Sequence, residues 1–208
     1  MAQTNGGVHP IIPSDGHADR SIPALTVMDT SGFDTLPRIG NGFVLRRLTS
    51  EDLPEFQAYR HDPEVGRYQG WSPMSDDEAT AFLSEMNTAP LLNPGNWTQI
   101  GIAEPNTRRL IGDIGMLLDQ EGRYAEVGVT LARHAQGRGI ATAAVREAVK
   151  LIFAVTQVDQ VLGITDARNS ASVCLLERVG MRKTETTNAV FRGEPCVEYV
   201  YTVLRNDG

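Results

Sequence analysis

Cysteine is scarce in this chain of 208 residues, since Cys174 and Cys196 are its only two. Their spacing fits neither a metal-binding pair nor a redox pair, so we expect two reduced, mostly buried thiols. The four histidines show no ligand spacing such as His-x-x-x-His. The sequence therefore predicts no metal site.

Long apolar runs are also missing, and none approaches the ~20 residues that a membrane span requires. No Lys or Arg precedes Arg20, and Ile11-Ile12 is too short for the core of a signal peptide. We therefore expect a cytoplasmic protein without a membrane partner. The net charge of −7 argues against nucleic acid as a main partner.

The charge is unevenly spread along the chain. Residues 41–121 carry 13 acidic against 6 basic side chains, whereas residues 122–183 carry 9 basic against 5 acidic ones. An acidic first half and a basic second half suit a cationic substrate that meets an anionic cofactor. Ordinary solvated surface charge explains the same counts equally well.

Two parts of the chain differ in composition. Residues 1–40 are rich in Gly, Pro, Ser, Thr and Asp without sustained periodicity, which predicts a flexible or loosely docked N-terminal extension. Residues 41–208 form one predicted domain. Its predicted strands are 43–48, 97–103, 110–118, 124–131, 158–165, 182–187 and 197–204, and its predicted helices, caps included, are 49–59, 75–86, 140–153 and 169–179.

The order of these elements predicts the fold class. Short turns join the three middle strands, which indicates an antiparallel meander. One β-α-β crossover through the helix at 140–153 indicates a parallel strand pair. The prediction is an α+β fold: a mixed, mostly antiparallel twisted sheet with helices on both faces.

A turn that follows the strand at 124–131 opens the helix at 140–153. The first N–H groups of a helix have no partner within it, and the helix dipole favours negative charge. Gly137 and Gly139 have no Cβ to block a close approach, and Arg138 adds a cation. We predict a site for the phosphates of a cofactor; the alternative is a plain tight connection. The motifs of a P-loop and of a dinucleotide fingerprint are both absent.

Two motifs together resemble the GCN5-related N-acetyltransferase (GNAT) superfamily. One is Gln136-x-x-Gly139-x-Ala141 after a strand, and the other is the helical segment from Asn169 to Met181. Each motif is short, but their order and spacing are typical of this superfamily. The resemblance implies the acyl-CoA N-acyltransferase fold.

The second motif looks like the branch that includes the ribosomal-protein N-terminal acetyltransferases. Residues 125–129 and the opening at 46–52 resemble the same branch. The resemblance covers about residues 42–205. It does not imply a substrate, because this branch acylates proteins, antibiotics, polyamines and amino acids.

The resemblance implies acetyl-coenzyme A (acetyl-CoA) as co-substrate. Its pyrophosphate would bind the backbone of the glycine turn, which comprises Gln136, Gly137, Arg138, Gly139, Ile140 and Ala141. Its pantetheine arm would lie between the splayed strands at 124–131 and 158–165. There it would pair, like an added strand, with Val129, Thr130 and Leu131. Asn169 would hydrogen-bond this arm, cap its helix, or do both.

The resemblance also implies direct acyl transfer, with a backbone N–H near Val129 that stabilises the oxyanion. Many family members carry a tyrosine seven positions after the asparagine, where this chain has Leu176. Ser172 would instead hydrogen-bond the sulfur or relay a proton; alternatively, it serves only the first turn of its helix. Glu126 is the predicted base, provided that burial raises its pKa; the alternative is a structural or surface glutamate.

Tyr68 and Trp71 lie in the segment where the family builds the wall that faces the acceptor. Aromatic rings near acidic side chains suit an ammonium ion, and three acids follow directly at residues 76–78. For these acids we favour helix capping and pairing with the helix dipole.

The favoured function is an acetyl-CoA-dependent N-acetyltransferase that moves an acetyl group directly to a primary amine in a ternary complex. The acceptor is a protein N-terminus or a small molecule, and its identity and the acyl chain length stay open. The alternative is a catalytically silent acyl-CoA-binding regulatory module, which the missing tyrosine and the extension motivate. A nucleotide-binding protein unrelated to coenzyme A is the third hypothesis. Both a monomer and a homodimer are compatible with the sequence.

Overall fold

The computed structural model describes residues 36–207. Its strands are β1 Arg38–Gly40, β2 Phe43–Arg46, β3 Trp97–Ala103, β4 Leu110–Leu118, β5 Ala125–Leu131, β6 Gln160–Asp166, β7 Arg182–Phe191 and β8 Glu194–Leu204. Its α-helices are α1 Leu53–Arg60, α2 Pro63–Gly66, α3 Asp76–Thr88, α4 Ile140–Val155 and α5 Ser170–Val179. Within this part of the chain, no helix has the length and hydropathy of a membrane span.

The eight strands form one sheet in the order β1-β2-β3-β4-β5-β6-β8-β7. Neighbouring strands are antiparallel except for β5 and β6, which α4 connects. The predicted mixed, mostly antiparallel α+β fold is therefore confirmed. The parallel contact is short, because its paired residues are Ala125 with Val161 and Glu126 with Leu162. Beyond Glu126 the two strands separate.

Helices cover both faces of the sheet. On one face α4 and α5 pack over the larger core cluster, to which Ile140, Leu151 and Leu176 belong. On the other face α1 and α3 pack over a smaller cluster that contains Phe56 and Leu83. The apolar side chains of α4 recur at helical spacing, so burying one stripe holds this helix against the sheet.

Local capping explains where two of the helices start. The Ser75 hydroxyl accepts a hydrogen bond from the N–H of Glu78 at 3.3 Å, and the Glu78 carboxylate accepts one from the N–H of Ser75 at 2.9 Å. This reciprocal pair opens α3, with Asp76 and Asp77 exposed in its first turn. The acids at residues 76–78 thus serve the helix start, as favoured. At α5 the cap is Asn169.

Residues 36–40 differ from the prediction. The domain boundary was expected after residue 40, yet β1 pairs with β2 from Arg38 to Gly40. Leu36 is buried, and Arg38 forms an ion pair with Glu147 of α4 at 3.3 Å. These residues therefore belong to the domain. A three-residue strand is too short for alternation to reveal it. The rest of the predicted extension, residues 1–35, lies outside the described residues.

Candidate active site

A cavity of about 410 Å³ opens where β5 and β6 separate. Seven of the predicted site residues line it: Tyr68, Trp71, Glu126, Val129, Thr130, Asn169 and Ser172. They are far apart in the sequence, but all of them line the gap that forms where the two strands separate. Leu131 and the glycine turn lie outside this lining, past the end of the part of β5 that forms it.

Hydrogen bonds at the two ends of β5 show which of its backbone groups point into the gap. The N–H of Ala132 donates to the carbonyl of Ile111 at 2.9 Å, and the N–H of Asp119 donates to the carbonyl of Tyr124 at 3.0 Å. Hydrogen-bonded residues alternate along an antiparallel strand, so the even-numbered residues of β5 direct their backbone N–H and C=O groups towards β4. The odd-numbered residues beyond the short parallel pairing direct their N–H and C=O groups into the gap: Val127, Val129 and Leu131.

Two glutamine side chains donate hydrogen bonds to carbonyl groups on this open edge. The amide nitrogen of Gln136 donates to the carbonyl of Leu131 at 2.9 Å. The amide nitrogen of Gln69 donates to the carbonyl of Val129 at 3.4 Å. Both glutamines act as donors and so leave the N–H groups of the strand for another partner. The edge thus retains donors of the kind that an added strand uses.

Glu126 and Val127 both line the cavity, and Val127 also packs into the core with α4. Their side chains point to opposite faces of the sheet. Alternation along the strand predicts these opposite directions. Burial, and then the negative charge of Glu198, raise the pKa of Glu126 to about 7. A carboxyl group with this pKa is about half ionised at neutral pH and can accept a proton from a substrate.

The N-terminus of α5 presents Asn169 and Ser172 to the cavity. The side-chain oxygen of Asn169 accepts a hydrogen bond from the N–H of Ser172 at 3.2 Å. Asn169 is therefore a helix cap, and this bond leaves its amide nitrogen as a donor. Leu176, which takes the position at which the resemblance implied a tyrosine, is buried and close to Gly163 of β6. It offers no proton.

The glycine turn has a left-handed backbone with open space around it. Gly137 and Gly139 adopt left-handed φ angles of 72° and 75°, which favour glycine. Around both, the position that a Cβ would take faces open space. Gly139 is the N-cap of α4 and, as a glycine, supplies no capping side chain. The first N–H groups of α4 therefore start from an open surface that a phosphate can approach.

A buried ion pair supports the aromatic wall of the cavity. The guanidinium carbon of Arg60 lies 4.4 Å from the ring centre of Trp71. Arg60 donates to one carboxylate oxygen of Asp113 at 3.0 Å and to the side-chain oxygen of Gln99 at 2.8 Å. The Tyr59 hydroxyl donates to the same Asp113 oxygen at 2.6 Å. Burial, and then the Asp113 charge, hold the pKa of Tyr59 well above its usual value.

Several cavity residues were not predicted from the sequence. Three are carboxylates: Asp113 on β4, Asp166 at the end of β6 and Glu198 on β8. Asp113 and Glu198 stand in apolar strands, Ile-Gly-Asp-Ile and Val-Glu-Tyr-Val, and an acid in such a strand is the signal that could have revealed these two. Three aromatic residues that were not predicted also line the cavity: Trp97, Tyr124 and Phe191. Within residues 36–207, no three His, Cys, Asp or Glu side chains cluster as metal ligands would.

Comparisons of the sequence match these features to one family. The sequence profile of the Acetyltransferase (GNAT) domain matches residues 43–182. The "Uncharacterized N-acetyltransferase p20" of Bacillus licheniformis is 29% identical over 141 residues, which cover 67% of this chain and 78% of that protein.

Solved structures share the fold. A GNAT-family acetyltransferase from Bacillus anthracis aligns with a TM-score of 0.72 at 17% identity, over 82% of this chain and 99% of that one. Spermidine N-acetyltransferase from Vibrio cholerae, in complex with CoA and spermine, aligns with a TM-score of 0.68 at 18% identity, over 81% of this chain and 98% of that one. Because the profile match spans β2 to the start of β7, the chain belongs to the GNAT family of N-acetyltransferases.

Proposed function

We propose that the chain transfers an acetyl group from acetyl-CoA directly to a primary amine within a ternary complex. One observation carries the proposal: a single cavity holds both an open strand edge and Glu126, whose pKa is raised to about 7. The first feature suits an extended acyl carrier. The second suits removal of a proton from an ammonium ion.

Three features of the residues present fit acetyl-CoA. The N–H of Leu131 on β5 would pair with an amide of its pantetheine arm, and the N–H of Val129 would face the thioester. Asn169 would donate its free amide nitrogen to the same arm. Beyond the cavity, the uncapped start of α4 and the open glycine turn, residues 136–141, would take the pyrophosphate. The related Vibrio cholerae enzyme, which is in complex with CoA, supports this choice of carrier.

Acetyl-CoA supplies an acetyl thioester when bound. Glu126 accepts the ammonium proton of the acceptor through a water, which frees the lone pair of nitrogen. The N–H of Val129 donates to the carbonyl oxygen as negative charge builds up on it. As the C–N bond forms and the C–S bond breaks, Ser172 donates a hydrogen bond to the departing sulfur. The nitrogen loses its second proton to solvent once the C–N bond has formed, and the thiol proton comes from solvent through this hydroxyl.

The acceptor side of the cavity suits a cation. Tyr68 and Trp71 form an aromatic wall, and the carboxylates of Glu126 and Glu198 lie on the same lining. Aromatic faces and carboxylates both attract an ammonium group. The acceptor would therefore bind protonated and lose its proton to Glu126.

A silent acyl-CoA-binding module is the second candidate, and Leu176 favours it. A buried leucine stands where a tyrosine would protonate the sulfur. A silent module would bind acetyl-CoA through the same strand edge and would release no free thiol. Binding of acetyl-CoA therefore tests the choice of cofactor but does not separate the two candidates. Transfer of the acetyl group to an amine distinguishes the enzyme from the silent module.

Acetyl-CoA is expected to raise the melting temperature, whereas ATP and NAD are expected to leave it unchanged. At ~100 times its dissociation constant a ligand adds about 2.7 kcal/mol to the folded state, which is roughly 5–10 °C for a domain of this size. Arg138→Glu should shrink the shift, because it places a carboxylate beside the pyrophosphate. Arg182→Glu, an exposed position on β7, is the matched control. A shift with ATP or NAD instead would refute acetyl-CoA as the ligand.

A further inference from the structure

The hairpin of β7 and β8 ends in a loop with an unfavourable residue. The loop is Arg192-Gly193, and both residues have positive φ, 51° and 85°. A two-residue loop of this kind favours Asn-Gly, because glycine and asparagine tolerate left-handed backbone. Arginine at the first position is strained, so some contact of its side chain must hold it there.

That contact spans more than 120 residues of sequence. One guanidinium nitrogen of Arg192 lies within hydrogen-bond distance of three backbone carbonyls: Gly66 at 3.1 Å, Gln69 at 3.2 Å and Trp71 at 3.3 Å. The segment that carries these carbonyls runs from the end of α2 towards α3 and has no regular secondary structure of its own. We call this set of three contacts the Arg192 clasp.

The clasp joins two walls of the cavity. Phe191, next to Arg192, lines the cavity from the hairpin, whereas Tyr68 and Trp71 line it from the segment after α2. On its other side Trp71 stacks on the buried Arg60. The ring of Trp71 is thus fixed by one arginine behind it and by a second that binds its own carbonyl.

We propose that Arg192 is a positioning residue for the acceptor wall, because its clasp sets where Tyr68 and Trp71 stand relative to Glu126. That this wall faces the acceptor rests on the proposed function. The Arg192 side chain contacts neither the open edge of β5 nor the glycine turn. Gln69 links the clasp to that edge only through the carbonyl of Val129, so the N–H groups of the strand stay available for acetyl-CoA. Its loss should loosen residues 66–71 and leave acetyl-CoA binding unchanged.

Arg192→Asn is the variant that isolates the clasp. Asparagine tolerates the left-handed φ of 51°, so the hairpin keeps its loop and loses only the guanidinium. Arg182→Asn makes the same change of charge at the other end of β7. Both are compared in a Trp97→Phe background, in which Trp71 is the single tryptophan, since the chain has two.

In Arg192→Asn, we expect acrylamide to quench the fluorescence of Trp71 more strongly. Amide hydrogen exchange in residues 66–71 should quicken about tenfold, the factor that the loss of one hydrogen bond from a charged donor produces. The melting temperature and the acetyl-CoA shift should match those of Arg182→Asn. Arg192→Lys should restore part of the protection, since an ammonium donates without the planar fork.

Two results would overturn the proposal. Unchanged quenching and exchange in Arg192→Asn would show that the wall stands without the clasp. Faster exchange throughout the sheet, together with a lower melting temperature, would show a general structural role. Neither readout needs acetyl transfer, so failure of the proposed function would leave this test intact.

Discussion

Glu126→Gln is expected to lower kcat for acetyl transfer by about 10²–10⁴-fold, the range typical of a lost general base. Glutamine keeps the shape of the side chain and removes its ability to accept a proton. The melting shift with acetyl-CoA should persist, because Glu126 does not belong to the cofactor-binding set. Steady-state kinetics measures the loss, with Glu185→Gln, an exposed glutamate on β7, as the control. A kcat within a few-fold of the unmodified enzyme would exclude Glu126 as the base.

The pH profile gives the same prediction a second readout. Activity requires ionised Glu126, so kcat/KM should rise with pH through about 7, its raised pKa. Burial causes most of the increase in the pKa of Glu126, and the charge of Glu198 adds to it. Glu198→Gln should therefore move the midpoint to lower pH without bringing it to the value of a free glutamate. If the midpoint of the pH profile did not change in Glu198→Gln, the titrating group would be a residue other than Glu126.

Stability should change in the opposite sense to activity. The pKa of Glu126 is higher in the folded protein than in the unfolded chain. Folding is therefore favoured below the ordinary pKa of glutamate, and this contribution is lost as pH rises through about 7. Glu126→Gln removes the buried charge, so above this pH the variant should be the more stable protein. Catalytic carboxylates commonly trade stability for activity in this way.

Asp113→Ala is expected to destabilise the fold by about 3–5 kcal/mol, which lowers the melting temperature by roughly 6–20 °C. The reason is Arg60, whose side chain is 3% exposed and bridges Asp113 at 3.0 Å. Alanine would leave this guanidinium charged and buried without a counterion. Thermal or urea unfolding measures the loss.

Two variants separate the buried charge from ordinary packing at this site. Tyr59→Phe removes one hydrogen bond to Asp113 and keeps the ion pair, so it should cost only about 1.5–3 kcal/mol. The double variant Asp113→Leu with Arg60→Met removes both charges and should recover much of the lost stability. If the double variant were as unstable as Asp113→Ala, an unpaired Arg60 would not be the cause.

Local chemistry explains why much of the fold was predictable. The bounds of β3, β4 and α5 were predicted correctly, because alternation, short turns and the cap at Asn169 all lie within a few residues. The same holds for Glu126, whose direction follows from its place on β5. In each case neighbouring residues in the chain carry the physical signal.

The unpredicted parts depend on residues that are far apart in the chain. Arg60 and Asp113 are 53 residues apart, and Arg192 lies 121 residues from Trp71. No local sequence pattern identifies the distant residue that a charged side chain will contact in the folded protein. The single-turn α2 and the three-residue β1 are likewise too short for periodicity, and tertiary contacts stabilise them.

The most direct test of the account is acetyl transfer itself. The protein is mixed with acetyl-CoA and one amine at a time: spermidine, free amino acids, an aminoglycoside, or peptides that begin with serine or alanine. Mass spectrometry of the amine and a thiol assay are read together. We predict that at least one amine gains one acetyl group for each thiol released. If acetyl-CoA binds but stays intact with every amine, this result would contradict the proposed acetyltransferase activity and favour the silent acyl-CoA-binding module.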